Sequence, residues 1–267
     1  MTQSLFGKTY GGSAPENYAE YFVPLIGAPL AADLIEAAAL RPDERVLDVA
    51  CGTGVVTRLA AQRVTGKGSV AGLDLNPGML AVARSSTPPG VRIDWYETNV
   101  EATPLPDGAL EVVLCQMGLQ FFANKLGALR EIRRILAPGG RLVLNVPGPI
   151  PPLFEILSDA IVRHVHPQGA IVHIVFSLHD AAELRELMTS AGFRDVDVRT
   201  TRKPLRLPPP REFLWQYLHS TPLVGLVVQA SDAQRAALED EVSARWQDLL
   251  VDGALVLDLG MTTVIAR

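Results

Sequence analysis

Asp48, Ala50, Gly52 and Gly54 stand at alternate positions in Arg45-Val46-Leu47-Asp48-Val49-Ala50-Cys51-Gly52-Thr53-Gly54-Val55, and Asp74 follows twenty positions after Gly54. An apolar run ending in a glycine turn, with a helix start at Val55, is the arrangement that brings backbone N–H groups close to a nucleotide-like ligand. Glycine allows both the sharp turn and the close approach. The third glycine of a dinucleotide fingerprint is missing, because Thr57 occupies its place. Asp48 beside the turn would repel a pyrophosphate and attract a cationic cofactor. S-adenosylmethionine (SAM), with its sulfonium and α-ammonium, is such a molecule. The Gly54-to-Asp74 interval puts a carboxylate at the end of the second strand, where it accepts hydrogen bonds from both ribose hydroxyls.

These motifs resemble the class I SAM-dependent methyltransferases. Asp48-x-Ala50-x-Gly52-x-Gly54 is similar to their first motif, with Ala50 where many members carry glycine. Gly72-Leu73-Asp74-Leu75-Asn76-Pro77-Gly78-Met79-Leu80 is similar to their second. The likeness runs from about Val46 to Val146 and is close to the ubiquinone/menaquinone C-methyltransferase (UbiE-like) and small-molecule branch. It implies SAM as cofactor, with Asp48, Ala50, Gly52, Gly54, Asp74 and Leu75 at its site. It also implies that Asn99, where relatives usually carry an acid, accepts from the adenine amino group without charge assistance. The Val100 amide would meet the ring nitrogen, and Gln116 would lie beside the methionine end. Tyr18, in an N-terminal segment that often closes over the site in that family, is read equally as a site residue and as core packing.

The elements that must position these residues follow from the pattern. Strands are expected at 46–49, 69–73, 91–96, 111–115, 141–146, 193–200 and 261–266, alternating with helices over the first six. That alternation predicts an α/β Rossmann-like, doubly wound sheet of seven strands, ordered 3-2-1-4-5-7-6 with strand 7 antiparallel. Four units are expected: an N-terminal helical lid over residues 1–40, a SAM-binding core over 41–204, a helical cap inserted at 205–250, and a C-terminal strand at 251–267. Pro24 is expected to open a helix running to Leu40, after a short one at 14–22. Residues 1–13 are expected to be mobile. In the cap, Ser231 and Gln234 form a capping box ahead of Leu238, Val242, Trp246 and Leu249. Phe213, Trp215, Tyr217 and Trp246 are its candidate pocket aromatics.

Composition bounds the partners. Hydrophobic residues make up 48% of the 267-residue chain, and the net charge of −5 argues against nucleic acid. The arginines between Arg194 and Arg211 read as a solvated strand edge. No apolar stretch reads as a signal segment or a membrane span, so a cytoplasmic protein acting on a small-molecule acceptor is expected, with its oligomeric state, a homodimer included, left open. Cys51 and Cys115 read as buried filler. His164, His166 and His173 match no metal-ligand spacing, no metal is expected, and no catalytic base is named. Beside an active methyltransferase stand a SAM- or nucleotide-binding regulatory module without transfer and, more remotely, an NAD-dependent oxidoreductase.

Overall fold

In a computed structural model the structure describes residues 12–267; the N-terminal stretch 1–11, most of the segment expected to be mobile and without a signal, lies outside the described residues. The strands are β1 (Arg45–Val49), β2 (Ser69–Asp74), β3 (Asp94–Glu97), β4 (Leu110–Gln116), β5 (Leu136–Pro147), β6 (Val196–Leu207), β7 (Leu250–Val251) and β8 (Ala254–Ala266). They form one sheet ordered β3-β2-β1-β4-β5-β8-β6, with the two-residue β7 as an added hairpin partner of β8. β1 to β5 pair in parallel, and β8 runs antiparallel to both its neighbours. The expected Rossmann-like order is therefore present, with β8 as the reversed strand.

The helices are α1 (Ala14–Ala38), α2 (Val55–Arg63), α3 (Pro77–Ser85), α4 (Lys125–Ile135), α5 (Pro152–His164), α6 (Val172–Val175), α7 (Ala181–Ser190), α8 (Pro210–His219), α9 (Val224–Val227) and α10 (Asp232–Gln247). Alternation along the parallel strands feeds two cores, as expected for strands buried on both faces. Leu47, Val49, Val113 and Leu144 meet α4 and α7 on one face. Val46, Val112, Leu114 and Val143 meet α2 and the second half of α1 on the other.

Four boundaries differ from expectation, one of them at β5, which begins at Leu136 rather than at 141. α1 is one continuous helix rather than two, because residues Tyr18–Gly27 wind as a π-helix around Pro24. Proline has no N–H to donate and clashes with the preceding turn of an α-helix, and the wider winding accommodates both. β3 begins at Asp94, leaving Val91 39% exposed ahead of it. β6 and β8 extend well beyond the expected strands, pairing from Val196↔Ala266 to Leu207↔Leu255. Their far ends carry Leu205, Leu207, Leu257, Leu259 and Met261 into a third core with α5, α8 and α10. There Trp246 is fully buried and its indole N–H donates to Leu153 O at 3.1 Å.

α1 spans 25 residues and contains an 18-residue window with a mean hydropathy of 1.4, so by length and composition it is long and apolar enough to cross a membrane. The separate reading of its two halves hid that property. In the fold it is a core helix, with Leu30, Ala31 and Leu34 buried against the sheet side. Its C-terminus is tied down by Arg141, which donates to Ala38 O at 2.7 and 2.9 Å and to Ala39 O at 3.1 Å. The same guanidinium pairs with Glu44 at 2.8 Å. Burial alone would raise the Glu44 pKa, but Arg141 and the Arg41 amide hold it below the usual range.

Candidate cofactor and acceptor cleft

At the carboxyl ends of β1, β2 and β4 opens a cleft with about 1450 Å³ of space, part of it continuous with solvent. This is the edge at which ligands bind in open parallel sheets. Of the ten residues singled out in the sequence, eight line it: Tyr18, Ala50, Gly52, Asp74, Leu75, Asn99, Val100 and Gln116. Asp48 and Gly54 do not. They stand behind the wall and shape it.

Gly54 begins α2 with φ of 79°, and a Cβ there would lie 2.7 Å from the Trp95 ring. Ala50 also has positive φ, at 53°, a conformation that costs an L-residue about 1–2 kcal/mol. Close packing surrounds it, since a Cβ on Gly118 would fall 2.7 Å from the Ala50 methyl. Behind the turn, the Asp48 carboxylate is buried and accepts from Thr57 Oγ1 at 2.6 Å. Burial pushes its pKa up to about 7, with the Thr57 bond opposing and the Asp74 charge reinforcing the rise. Thr57, in the place of a third glycine, is thus the residue that holds Asp48.

Asp74 bridges the two motifs. One carboxylate oxygen accepts from Gly52 N and the other from Asn76 N, each at 2.8 Å. Burial raises its pKa, and the backbone N–H groups of Asn76, Gly52 and Leu75 pull it back. The carboxylate retains acceptor capacity for a further donor. The helix cap at α3 is Asn76, whose Oδ1 accepts from Met79 N at 3.0 Å, so Asp74 is free of that task.

Asn99 uses its Oδ1 to accept from Glu101 N at 3.1 Å, which shapes the loop after β3. That loop is pinned from behind by Glu131, which accepts from Thr103 N at 2.9 Å and Thr103 Oγ1 at 2.6 Å while Arg134 grips both Glu131 and Asp107. The Arg134 hydrogen bonds hold the Glu131 pKa down at about 2. Gln116 donates from Nε2 to Gly27 O of α1 at 3.0 Å. Its Oε1 is buried with no hydrogen-bond partner among the described residues, an acceptor suited to an ammonium or hydroxyl. Tyr18 stacks on Phe22 with centroids 4.6 Å apart, and burial, then the Asp74 charge, raises its phenol pKa.

The cleft continues away from Asp74 into an apolar half that sequence reasoning left largely unassigned. Phe22, Phe154, Phe176 and Tyr217 form a box, with centroid distances of 5.4 Å for Phe154–Phe176 and 4.9 Å for Phe154–Tyr217. Met117, Val175, Leu257 and Leu259 complete its walls. Of the four cap aromatics only Tyr217 lines this space. Phe213 and Trp246 are buried in the third core, and Trp215 faces a separate surface groove with Arg211, His219 and Glu239. Its indole N–H donates to Glu239 Oε2 at 2.5 Å, so the expectation of Trp215 as a cleft residue is corrected. Phe154 and Phe176 carried no local signal, because their meeting depends on how α5 and α6 pack.

None of the five histidines lines the cleft. His164 faces Glu241 at 2.6 Å. No group of three or more metal-ligating side chains occurs among the described residues. Cys51 and Cys115 are both free and buried, and burial raises their thiols, Cys115 to about 12, so neither is an activated nucleophile.

Comparison with known proteins agrees with this geometry. A methyltransferase-domain family profile matches residues 47–144. The ubiquinone/menaquinone biosynthesis C-methyltransferase UbiE of Shewanella frigidimarina is 34% identical over 179 residues, covering 61% of this chain and 71% of the relative. The demethylmenaquinone methyltransferase of Thermus thermophilus is 34% identical over 173 residues, 60% of this chain and 78% of that one. In fold, the YcgJ protein of Bacillus subtilis superposes with a TM-score of 0.60 at 18% identity, covering 88% of this chain and 96% of that one. A Haemonchus contortus phosphoethanolamine N-methyltransferase in complex with SAM does so at 0.56 and 16%, covering 89% and 52%. The chain belongs to the class I SAM-dependent methyltransferases, in their UbiE-like branch. It is an enzyme and SAM is its cofactor, which sets aside the regulatory-module and nicotinamide readings.

Proposed function

We propose that the enzyme methylates a small, neutral, largely apolar acceptor held in the aromatic half of the cleft. One observation carries this reading. The only carboxylates lining the cleft are Asp74 and Glu101, at the cofactor end, and no Lys, Arg or His lines it among the described residues. An ionised acceptor placed among Phe22, Phe154, Phe176 and Tyr217 would lose its hydration without gaining a counter-ion. A flat ring would gain stacking and apolar burial. The relatives are named for C-methylation in ubiquinone/menaquinone biosynthesis and for demethylmenaquinone, and a ring of that kind fits these walls.

In this reading Asp74 accepts from the ribose hydroxyls, Asn99 and the Val100 amide meet the adenine, and Ala50, Gly52, Leu75 and Gln116 surround the remainder of SAM. Tyr18 closes the site from α1, while Asp48 and Gly54 hold the turn. Residues 1–40 act as the lid, 41–204 bind SAM, 205–250 select the acceptor, and 251–267 complete the sheet. The chain works in the cytoplasm. Bound there, SAM would supply a methyl activated on its sulfonium. The acceptor would take that methyl in line with the C–S bond, the bonding pair would stay on sulfur, and the acceptor's displaced proton would pass to solvent. Alignment supplies much of the acceleration, because the methyl is already activated on the sulfonium.

Radiolabelled methyl transfer from SAM to a panel of hydroquinones, phenols, amines and phosphorylated amines tests the reading. Transfer is expected to neutral ring acceptors. Turnover confined to charged amines or phosphorylated substrates would refute it.

A further inference from the structure

We propose that the Tyr217 hydroxyl selects acceptors that carry an oxygen, donating a hydrogen bond to it from inside the aromatic box. The inference rests on the neutral, apolar acceptor proposed above and names the polar feature that acceptor must bear.

Tyr217 lies on α8, within the segment between β6 and β7 and outside the stretch matched by the family profile. It is 6% exposed, and its ring is fixed by Phe154 at 4.9 Å and Phe213 at 5.8 Å between centroids. Phe22 of α1 lies 6.4 Å away, so the ring is held from two sides of the cleft. The phenol lines the cleft, where its hydroxyl can meet a ligand. Two other donors lining the cleft are already committed. Ser220 donates to Asn17 O at 3.2 Å, and Gln116 Nε2 donates to Gly27 O. Burial, then the nearby Tyr18 phenol, raises the Tyr217 pKa, so the group stays protonated and serves as a donor rather than a base.

A ring entering the box takes this O–H out of water. A ligand offering an oxygen bonds it, whereas a hydrocarbon of the same shape leaves a buried donor unpaired. Sites built to hydrogen-bond a substrate group reject the analogue lacking it for this reason.

The test compares 2-naphthol with the nearly isosteric 2-methylnaphthalene, titrated by fluorescence into the full chain loaded with S-adenosylhomocysteine. Tyr217→Phe keeps the ring and removes the donor. It is expected to lower the naphthol-to-methylnaphthalene affinity ratio by about threefold to tenfold, the range for one neutral hydrogen bond. The methylnaphthalene affinity should stay within about twofold, as should that for S-adenosylhomocysteine, since one neutral hydroxyl is all that changes. An unchanged ratio overturns the proposal, as does a parallel loss of both probes. A ratio that moves in Tyr18→Phe but not in Tyr217→Phe assigns the donor to Tyr18 and overturns it too. If the wild-type chain binds neither probe but methylates a charged acceptor, the proposed function fails as well.

Discussion

Around the glycine turn, Gly52, Asp74, Asn99 and Gln116 come from the ends of neighbouring strands and meet through backbone N–H groups and short polar side chains. The proposed acceptor half instead draws Phe22, Phe154, Phe176, Tyr217 and Leu259 from helices and a strand spread from residue 22 to residue 259. The first half is set by strand register, because parallel pairing such as Asp48↔Gly72 and Asp48↔Leu114 brings consecutive strand ends to one edge. The second is set by helix packing on the long β6–β8 hairpin. One half is therefore rigid and polar, and the other is apolar and adjustable by side-chain size. That difference suits a constant cofactor and an acceptor that varies among relatives.

The most severe way to break the comparison is to remove the packing beneath the acceptor half. Trp246→Ala deletes a fully buried indole and its bond to Leu153 O. It should cost about 3–5 kcal/mol, read as a lower denaturant midpoint. A loss below about 1 kcal/mol would mean that the third core does not support this half as described.

Next in size, Asp74→Ala should weaken SAM binding by roughly 1.5–3 kcal/mol in isothermal titration. Part of that loss comes from the turn itself, because the carboxylate also receives Gly52 N and Asn76 N. Binding of 2-naphthol should change little. Unchanged SAM affinity in the folded variant would remove Asp74 from the cofactor half.

Asp48 sharpens the electrostatic side. Its pKa of about 7 means that the carboxylate ionises as pH rises through neutrality. SAM carries a sulfonium that S-adenosylhomocysteine lacks, so preference for SAM should grow between pH 6 and pH 8, by on the order of 1 kcal/mol. Asp48→Asn should flatten that dependence. The stability sign is opposite to that of a salt-bridged acid. The raised folded pKa makes its contribution full below the unfolded value of 3.8 and lost as pH climbs toward 7, a loss the Asn variant should not show. A pH-independent SAM preference in the wild type would detach Asp48 from the cofactor.

The smallest effect is expected at Trp215. Trp215→Phe removes the bond to Glu239 in the separate groove and should leave both SAM affinity and acceptor KM within about twofold, as for changes away from a site. A marked rise in acceptor KM would bring that groove into the acceptor half and blur the division.

Legibility followed the same division. The motif from Asp48 to Gly54 and the interval to Asp74 were readable because a strand, a turn and the next strand end are local, and their spacing is bound by the rise of each element. The capping box at Ser231 and Gln234 was readable for the same reason and is present in α10. The Tyr18–Gly27 winding was not, since a proline in an apolar run signals a helix start as readily as a wide turn within a longer helix. Trp215 and Tyr217, two positions apart on one helix, point to different cavities, and nothing in their types says which.

By itself, then, the sequence determined the sheet order, the cofactor and most of the residues proposed to meet it, because those depend on short-range periodicity and on backbone turns. Tertiary structure alone decided that Asp48 stands behind the wall and that Gln116 reaches α1. It also decided that Phe154, Phe176 and Tyr217 form one box with Phe22. Those outcomes depend on which buried faces meet across the chain, and packing of that kind is satisfied by many apolar side chains of similar volume, leaving no spacing to read.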